Sequence, residues 1–218
     1  MPNLGVVADD EPNKIETYQR TIFVDVDDTC VDVLGGFVNW LAVMNRLKKV
    51  TGQSIQDRDR LGDWLGIDDG LANLWVKEFV NHSWQWGALK SIKDANRALQ
   101  ALKRHGYKIT ALAHCGNELH RVILRRANLE LLIPNVFTDL FSMPEKNSFY
   151  PYMKDLDDAV CITASIKTAQ DTAQAGHSAY LLDQPWNRNY QDLRVRRFNN
   201  WIDIANTLIQ SPATVLIN

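Results

Sequence analysis

The chain has 218 residues, of which 45% are hydrophobic and 23% charged, proportions typical of a soluble globular protein with one large domain or a domain carrying a small insertion. A net charge of −2 and a pI near 6.2 argue against a nucleic-acid polymer as partner. No apolar run approaches membrane-spanning length and the N-terminus is polar, so we expect a cytoplasmic protein with no membrane partner.

Hydrophobic periodicity predicts strands that alternate with helices along most of the chain. Residues 1–19 are expected to form a lead-in segment. Strands are predicted at four places: 21–26, 107–113, 159–163 and 178–183. Helices are predicted at six: 33–49, 71–80, 95–105, 117–132, 165–175 and 201–209. Alternation of this kind predicts an α/β fold in which helices cover both faces of a parallel sheet.

The first predicted strand leads directly into Asp25, Asp27, Asp28 and Thr29. Because side chains two apart on a strand point the same way, Asp25 and Asp27 are expected to face one site. Carboxylates this close repel each other unless a cation or a proton compensates, and Mg²⁺ is a natural compensator. The structural alternative is an acidic turn in which Asp28 and Thr29 only cap the following helix.

Ligands of such sheets bind beyond the carboxyl ends of the strands, so the last residues of each strand are the candidate site. The second, third and fourth strands end in 113–117 (AHCGN), 162–165 (ITAS) and 183–187 (DQPWN). Asp183 and Asn187 are expected to support the site from the fourth strand.

The pattern Asp25-x-Asp27-x-Thr29 after an apolar strand resembles motif I of the haloacid dehalogenase (HAD) superfamily. The finer resemblance is to the phage and bacterial branch of 5'(3')-deoxyribonucleotidase-like proteins. It rests on motif I and on four further stretches: 37–40 (FVNW), 71–79 (LANLWVKEF), 94–107 and 182–187 (LDQPWN). The resemblance implies a HAD-like Rossmannoid core of residues 20–32 and 93–218, with residues 33–92 inserted as a small helical cap.

The resemblance also implies an activity: Mg²⁺-dependent hydrolysis of a small phosphate monoester, a (deoxy)nucleotide monophosphate, through an aspartyl-phosphate. In this family Asp25 would attack phosphorus and Asp27 would be the general acid/base. A lysine would neutralise the phosphate, with Lys146 as the first candidate and Lys154 as the alternative. The implied metal ligands are Asp25, Asp27 through its backbone carbonyl, and Thr163.

Two positions depart from the family pattern. The motif II hydroxyl is replaced by Ala113, so an anion would be held by His114 or by the backbone N–H groups of Cys115 and Gly116, next to Asn117. The two motif IV carboxylates are replaced by Thr163-Ala164, and a site that loses carboxylates binds a hard cation more weakly.

The aromatic residues of the cap have two interpretations. Phe37 and Trp40 are the candidates for stacking on a nucleobase, with Trp64 and Trp75 as further possibilities, and at most two of the four are expected to face a ligand. Equally, aromatic residues at helical spacing form the core of a small insertion. For the whole chain, a catalytically weak relative that binds a nucleotide or a protein is the alternative function, and metal-free dehalogenation by Asp25 is a third.

Overall fold

The computed structural model describes residues 21–47, 55, 57, 60–144, 147–156 and 158–210. The strands are β1 (Thr21–Asp25), β2 (Val31–Asp32), β3 (Lys90–Ser91), β4 (Lys108–Ala113), β5 (Asp139–Ser142), β6 (Ala159–Thr163), β7 (Ser178–Leu182) and β8 (Val195–Phe198). The α-helices are α1 (Val33–Val43), α2 (Leu61–Leu65), α3 (Asp69–His82), α4 (Ala95–Arg104), α5 (Leu119–Leu132), α6 (Tyr150–Met153), α7 (Ile166–Gln174) and α8 (Trp201–Gln210). Two 3₁₀ turns cover Trp84–Gly87 and Pro185–Asn187.

Six of the strands form one parallel sheet in the order β5-β4-β1-β6-β7-β8. Strand β1 lies near the middle, with Val24 paired to Ala111 of β4 on one side and to Ile162 of β6 on the other. The predicted α/β fold with a parallel sheet is confirmed. All three of these strands end at the same edge, which brings their last residues together.

The strands next to β1 are almost wholly buried because helices cover both faces of the sheet. Helix α4 shows how the covering works: Ala95, Ala98, Leu99 and Leu102, at three- and four-residue spacing, are its buried residues. Helix α8 packs beside α4. Among the described residues, none of the helices combines the length and apolarity needed to cross a bilayer.

The insertion between β2 and β3 is helical, and the two short strands pair antiparallel at its two ends. Its interior is a cluster of four aromatic rings, Phe37, Trp40, Phe79 and Trp86, with centroids 5.6 to 5.9 Å apart. Phe37 and Trp40 are 2% and 4% exposed. This corrects the expectation that these two rings contact substrate: they are the core that a small helical insertion needs.

Three differences from the predicted elements have local causes. Helix α1 ends at Val43 rather than at residue 49. Asn45 has a positive φ of 53°, and a right-handed helix cannot continue through a residue with that backbone conformation. Strands β5 and β8 were not predicted because each is four residues long and lies at an edge of the sheet, where the apolar signal is weakest.

Candidate active site

Asp25 is the last residue of β1, and its carboxylate is held by hydroxyl groups from the neighbouring strand and helix. Thr163 Oγ1 at the end of β6 and Thr168 Oγ1 in the first turn of α7 both donate to Asp25 Oδ2, at 2.8 and 2.9 Å. The Ser165 side chain accepts from the Thr168 N–H and caps α7, which fixes the position of Thr168. Asp25 is only 2% exposed. Two donors to one oxygen orient the carboxylate and leave Oδ1 as the oxygen available for chemistry.

Burial raises the pKa of Asp25 from its ordinary value to about 6, because the charged form loses hydration. The neighbouring Asp27 adds to the rise, whereas His114 and the two threonine hydroxyls oppose it. A carboxyl group with this pKa changes its charge in the range in which enzymes commonly work.

Asp27 forms an ion pair with Arg125 of α5, in which Arg125 Nη2 lies 2.8 Å from Asp27 Oδ1. The Arg125 side chain is fully buried, and its guanidinium lies 4.1 Å from the centroid of the Trp86 ring. The Asp27 side chain is 22% exposed, so it is the more accessible of the two motif aspartates. Sequence reasoning missed Arg125, although a cation in line with Val122 and Leu129 on the apolar face of a helix was a usable signal.

The remaining residues of motif I are structural. Asp28 Oδ1 accepts a 2.7 Å hydrogen bond from the Leu34 N–H at the start of α1, which is the capping role described by the structural alternative. Thr29 Oγ1 accepts from the Ala164 N–H at 2.8 Å, and Trp201 Nε1 donates to the Thr29 carbonyl at 2.7 Å. These bonds tie the loop that carries Asp25 and Asp27 to β6 and to α8.

The 183–187 run supports this edge of the sheet through hydrogen bonds to the neighbouring loops. Asn187 is fully buried, and its Nδ2 donates to the carbonyls of Ala164 and Leu182 at 3.0 and 2.9 Å. Its Oδ1 accepts from Arg197 at 2.7 Å, and Arg197 also pairs with Asp183 at 2.8 Å. The expected support from Asp183 and Asn187 therefore takes the form of a buried polar network under the β6–α7 loop.

Asn187→Ala is expected to lower the free energy of unfolding by about 2–4 kcal/mol, because it removes the hydrogen bonds of a buried side chain to two carbonyls, to Arg197 and to the Gln184 N–H. Urea denaturation measures the change. The exposed Asn199 offers a matched control, and Asn199→Ala is expected to change the value by no more than about 0.5 kcal/mol. Equal losses in the two variants would contradict the assigned network.

The loop after β4 holds the residues predicted to bind an anion. The Gly116 N–H donates to the Met143 carbonyl at 3.0 Å, and α5 begins only at Leu119, with Glu118 as its N-cap. The predicted anion site on the Gly116 N–H is therefore corrected, since that donor is already used. Cys115 is buried, and its Sγ lies 3.0 Å from Ser142 Oγ.

His114 remains a candidate for binding, because its charge reaches Asp25 and it lines a cavity. Its Nε2 lies 3.0 Å from the Asn147 carbonyl, and its ring lies 4.5 Å from that of Phe149, so it is held in place. The cavity, of about 450 Å³, lies between cap helix α3 and the loop after β4. Asn117, Lys77, Arg121 and Glu118 also line it. Arg121 is paired with Glu118 at 3.3 Å, so Lys77 is the lysine or arginine of the lining left to attract an anionic ligand.

Lys146, the first candidate for the phosphate-neutralising lysine, lies outside the described residues. The alternative, Lys154, follows α6, and its Nζ lies 3.9 Å from Asp155 with the side chain 48% exposed. It has the environment of a surface lysine.

The residues implied as metal ligands do not fit a tight Mg²⁺ site. Thr163 offers a neutral hydroxyl that already donates to Asp25, and Ala164 offers no side-chain oxygen. The implied ligand from Asp27 is a neutral backbone carbonyl, which accepts from Thr29 Oγ1 at 3.4 Å. In the described part of the chain, no three His, Cys, Asp or Glu side chains are grouped so as to hold a metal. A hard divalent cation is bound in proportion to ligand charge, and this edge of the sheet supplies little.

Thr163→Asp/Ala164→Asp is expected to tighten Mg²⁺ binding at least about tenfold, because it adds two carboxylates beside Asp25. Isothermal titration with MgCl₂ measures the affinity. Asn199→Asp/Asn206→Asp adds the same charge at exposed positions and is expected to leave the affinity unchanged. If both double variants behave alike, the end of β6 is not the position at which carboxylates create a metal site.

No protein-family model matches the chain, and no curated protein matches it. Many solved structures do. A HAD-family hydrolase from Deinococcus radiodurans R1 with bound phosphate and sodium has a TM-score of 0.59 at 14% identity, covering 88% of this chain and 96% of its own. A HAD hydrolase from Bacillus subtilis bound to magnesium has a TM-score of 0.59 at 13% identity, covering 87% and 98%. A HAD phosphatase from Thermococcus onnurineus has a TM-score of 0.55 at 14% identity, covering 87% and 98%.

Proposed function

Because the chain has the HAD fold, with the motif I aspartates at the carboxyl end of its central strand, we propose that it is a hydrolase of small phosphate monoesters. The observation that carries the proposal is Asp25: a buried carboxylate oriented through Oδ2 by Thr163 and Thr168, with Oδ1 left for attack. The cavity lined by His114 and Lys77 supports an anionic substrate. The bound phosphate of the Deinococcus structure supports the same substrate class.

In the proposed reaction, Asp25 Oδ1 attacks phosphorus, the bond to the ester oxygen breaks, and an aspartyl-phosphate forms. The leaving oxygen takes a proton from Asp27, and water then hydrolyses the intermediate with Asp27 as base. His114, which lines the cavity and interacts electrostatically with Asp25, stabilises the charge on the phosphoryl oxygens. Since Asp27 is ion-paired with Arg125, that pair must loosen before Asp27 can deliver a proton.

The substrate we propose is a small phosphate monoester, and more specifically a (deoxy)nucleotide monophosphate. Phe37 and Trp40 lie in the cap core, so neither is placed to stack on a base. Trp64 and Trp75 are half-buried and pack against the main core cluster. A substrate with a base would therefore be recognised mainly through its phosphate and sugar.

The test is a panel of nucleoside and sugar monophosphates, assayed for phosphate release with and without Mg²⁺, with Asp25→Asn as the control. Release that Asp25→Asn abolishes supports the proposal. No release on any substrate, or equal release by the variant, contradicts it.

A second candidate function is binding of a phosphate ester without turnover. The observation in its favour is that both aspartates are already engaged, Asp25 at 2% exposure and Asp27 in its ion pair. Under this candidate the same panel gives no phosphate release, while a bound monophosphate raises the melting temperature of the protein by an amount that grows with the logarithm of its concentration relative to its Kd.

The acid limb of the pH profile is expected near pH 6. Asp25 attacks only as the carboxylate, and burial raises its pKa to about 6, so kcat/KM should fall about tenfold per pH unit below that value. Two substrates with different phosphate pKa values separate enzyme from substrate titration. A limb that moves with the substrate, or one near pH 4, would contradict the assignment to Asp25.

A further inference from the structure

Arg125 is the only described cation in contact with the motif I aspartates, and its surroundings are unusual for an arginine. It is fully buried in α5, and its single ion pair within the described residues is the one with Asp27. Its Nε, Nη1 and Nη2 make no hydrogen bond there, since the contact with Asp27 is short but lacks hydrogen-bond geometry. Removing a guanidinium with five N–H groups from water costs free energy, and so few partners do not offset that cost. Stability therefore does not explain why an arginine occupies this position.

The position of Arg125 is fixed by packing. Trp86, on the segment that leads out of the cap, lies flat under the guanidinium at 4.1 Å, and Phe79 packs edge-on against Trp86 at 5.7 Å. The positive charge is thus held between the cap core and Asp27. It cannot move into solvent unless these aromatic contacts break.

Both motif aspartates have partners at this edge of the sheet, although only the partner of Asp27 carries a charge. Asp27 is neutralised by Arg125, and Asp25 Oδ2 is satisfied by two hydroxyls. The positions after β6 where the family resemblance implies acidic residues carry Thr163 and Ala164. A fixed guanidinium beside the aspartate pair also repels any second cation, and this repulsion is strong in a poorly hydrated interior.

We propose that Arg125 is the resident cation of this site. Its positive charge replaces that of the divalent ion, so that the protein acts without tightly bound Mg²⁺. The inference rests on the proposed function only in saying that the protein is catalytically active. Its physical content is that Arg125 suppresses metal binding at Asp25 and Asp27.

The test is isothermal titration of the intact protein with MgCl₂ at constant ionic strength. The parent is expected to show no saturable binding with a Kd below about 1 mM. Arg125→Met keeps the apolar stem over Trp86 and removes the charge, and is expected to bind Mg²⁺ at least about tenfold more tightly than the parent. Arg125→Lys keeps the charge and is expected to behave like the parent.

Arg126 is the matched control, because it is the next residue on α5 and is exposed. Arg126→Met is expected to leave Mg²⁺ affinity unchanged. Arg125→Met binding no tighter than the parent, or Arg126→Met producing the same gain, would overturn the proposal. Should Arg125→Met fail to fold, Arg125→Gln, which also removes the charge, takes its place in the same comparison. Saturable binding by the parent with a Kd below about 1 mM overturns the proposal in either case.

The outcome is separable from that of the proposed function, because titration uses no substrate. Phosphate release that persists in EDTA agrees with both inferences. Release that strictly requires Mg²⁺ overturns the role of Arg125 and leaves the hydrolase standing. Absence of release on every substrate contradicts the hydrolase, while the titration still decides the role of Arg125.

Discussion

Asp25→Asn is expected to make the protein more stable, by about 3 kcal/mol above pH 7. Burial raises the pKa of Asp25 to about 6 in the folded chain, against an ordinary value of 3.8 in the unfolded chain. At pH 8 both states carry the charge, and folding must remove it from water. Asparagine avoids that cost and still accepts from the hydroxyls of Thr163 and Thr168.

The sign of this effect with pH is fixed by the direction of the shift. A carboxyl with a raised pKa binds its proton more tightly in the folded state, so its destabilising effect is full above pH 6. The effect fades between pH 6 and pH 4 and is absent at pH 3, where both states are protonated. Urea denaturation of parent and variant at pH 8 and pH 4 measures the difference.

Asp139→Asn is the control for this prediction, because Asp139 begins edge strand β5 and its side chain is 53% exposed. It is expected to change stability by less than about 0.5 kcal/mol at either pH. A gain for Asp25→Asn that is the same at pH 8 and pH 4 would show that the carboxylate charge is not the cause. Should the gain appear together with loss of activity, Asp25 is a residue at which stability has been given up for function.

The second large effect is expected at the Asp27–Arg125 pair. Asp27→Ala leaves the charge of Arg125 buried without a partner and is expected to cost about 3–5 kcal/mol in the free energy of unfolding. Asp27→Ala/Arg125→Met removes both charges and keeps a side chain over Trp86. It is expected to recover most of that loss, because an apolar pair of similar volume needs no counter-ion.

The Arg46–Glu78 pair on the cap is a suitable comparison. Its atoms are 2.6 Å apart, but its side chains are 25% and 34% exposed, so Glu78→Ala is expected to cost no more than about 1 kcal/mol. Chemical denaturation of the parent and the three variants at pH 7 gives the values. A loss from Asp27→Ala as small as that from Glu78→Ala would contradict the burial of Arg125, and so would a double variant as unstable as the single one.

The α/β class, the central strand and the acidic residues at its end were all readable from the sequence. Predicted strands at 159–163 and 178–183 agree with β6 and β7 to within a residue. A short apolar run between turn residues identifies a buried strand without knowledge of the rest of the fold. Strands β5 and β8 were not readable, because four half-buried residues at a sheet edge carry almost no periodic signal.

The chemistry around Asp25 was decided by tertiary structure. Its two hydroxyl donors, Thr163 and Thr168, lie 138 and 143 residues further along the chain, and only the β1–β6 pairing brings them to it. The same holds for Arg125, which meets Asp27 because α5 packs under the cap segment that contains Trp86. Sequence patterns record which residues are apolar at what spacing, whereas the partner of a charge depends on which distant elements fold against it.

By itself, then, the sequence determined the fold class and the strand that leads into Asp25 and Asp27. The tertiary structure decided that Phe37 and Trp40 form the interior of the helical insertion, and that Arg125 is the cation beside Asp27. The physical reason is the range of the forces involved. Hydrophobic patterning acts through neighbours in the chain, while neutralising a buried carboxylate requires a charge that only folding can deliver.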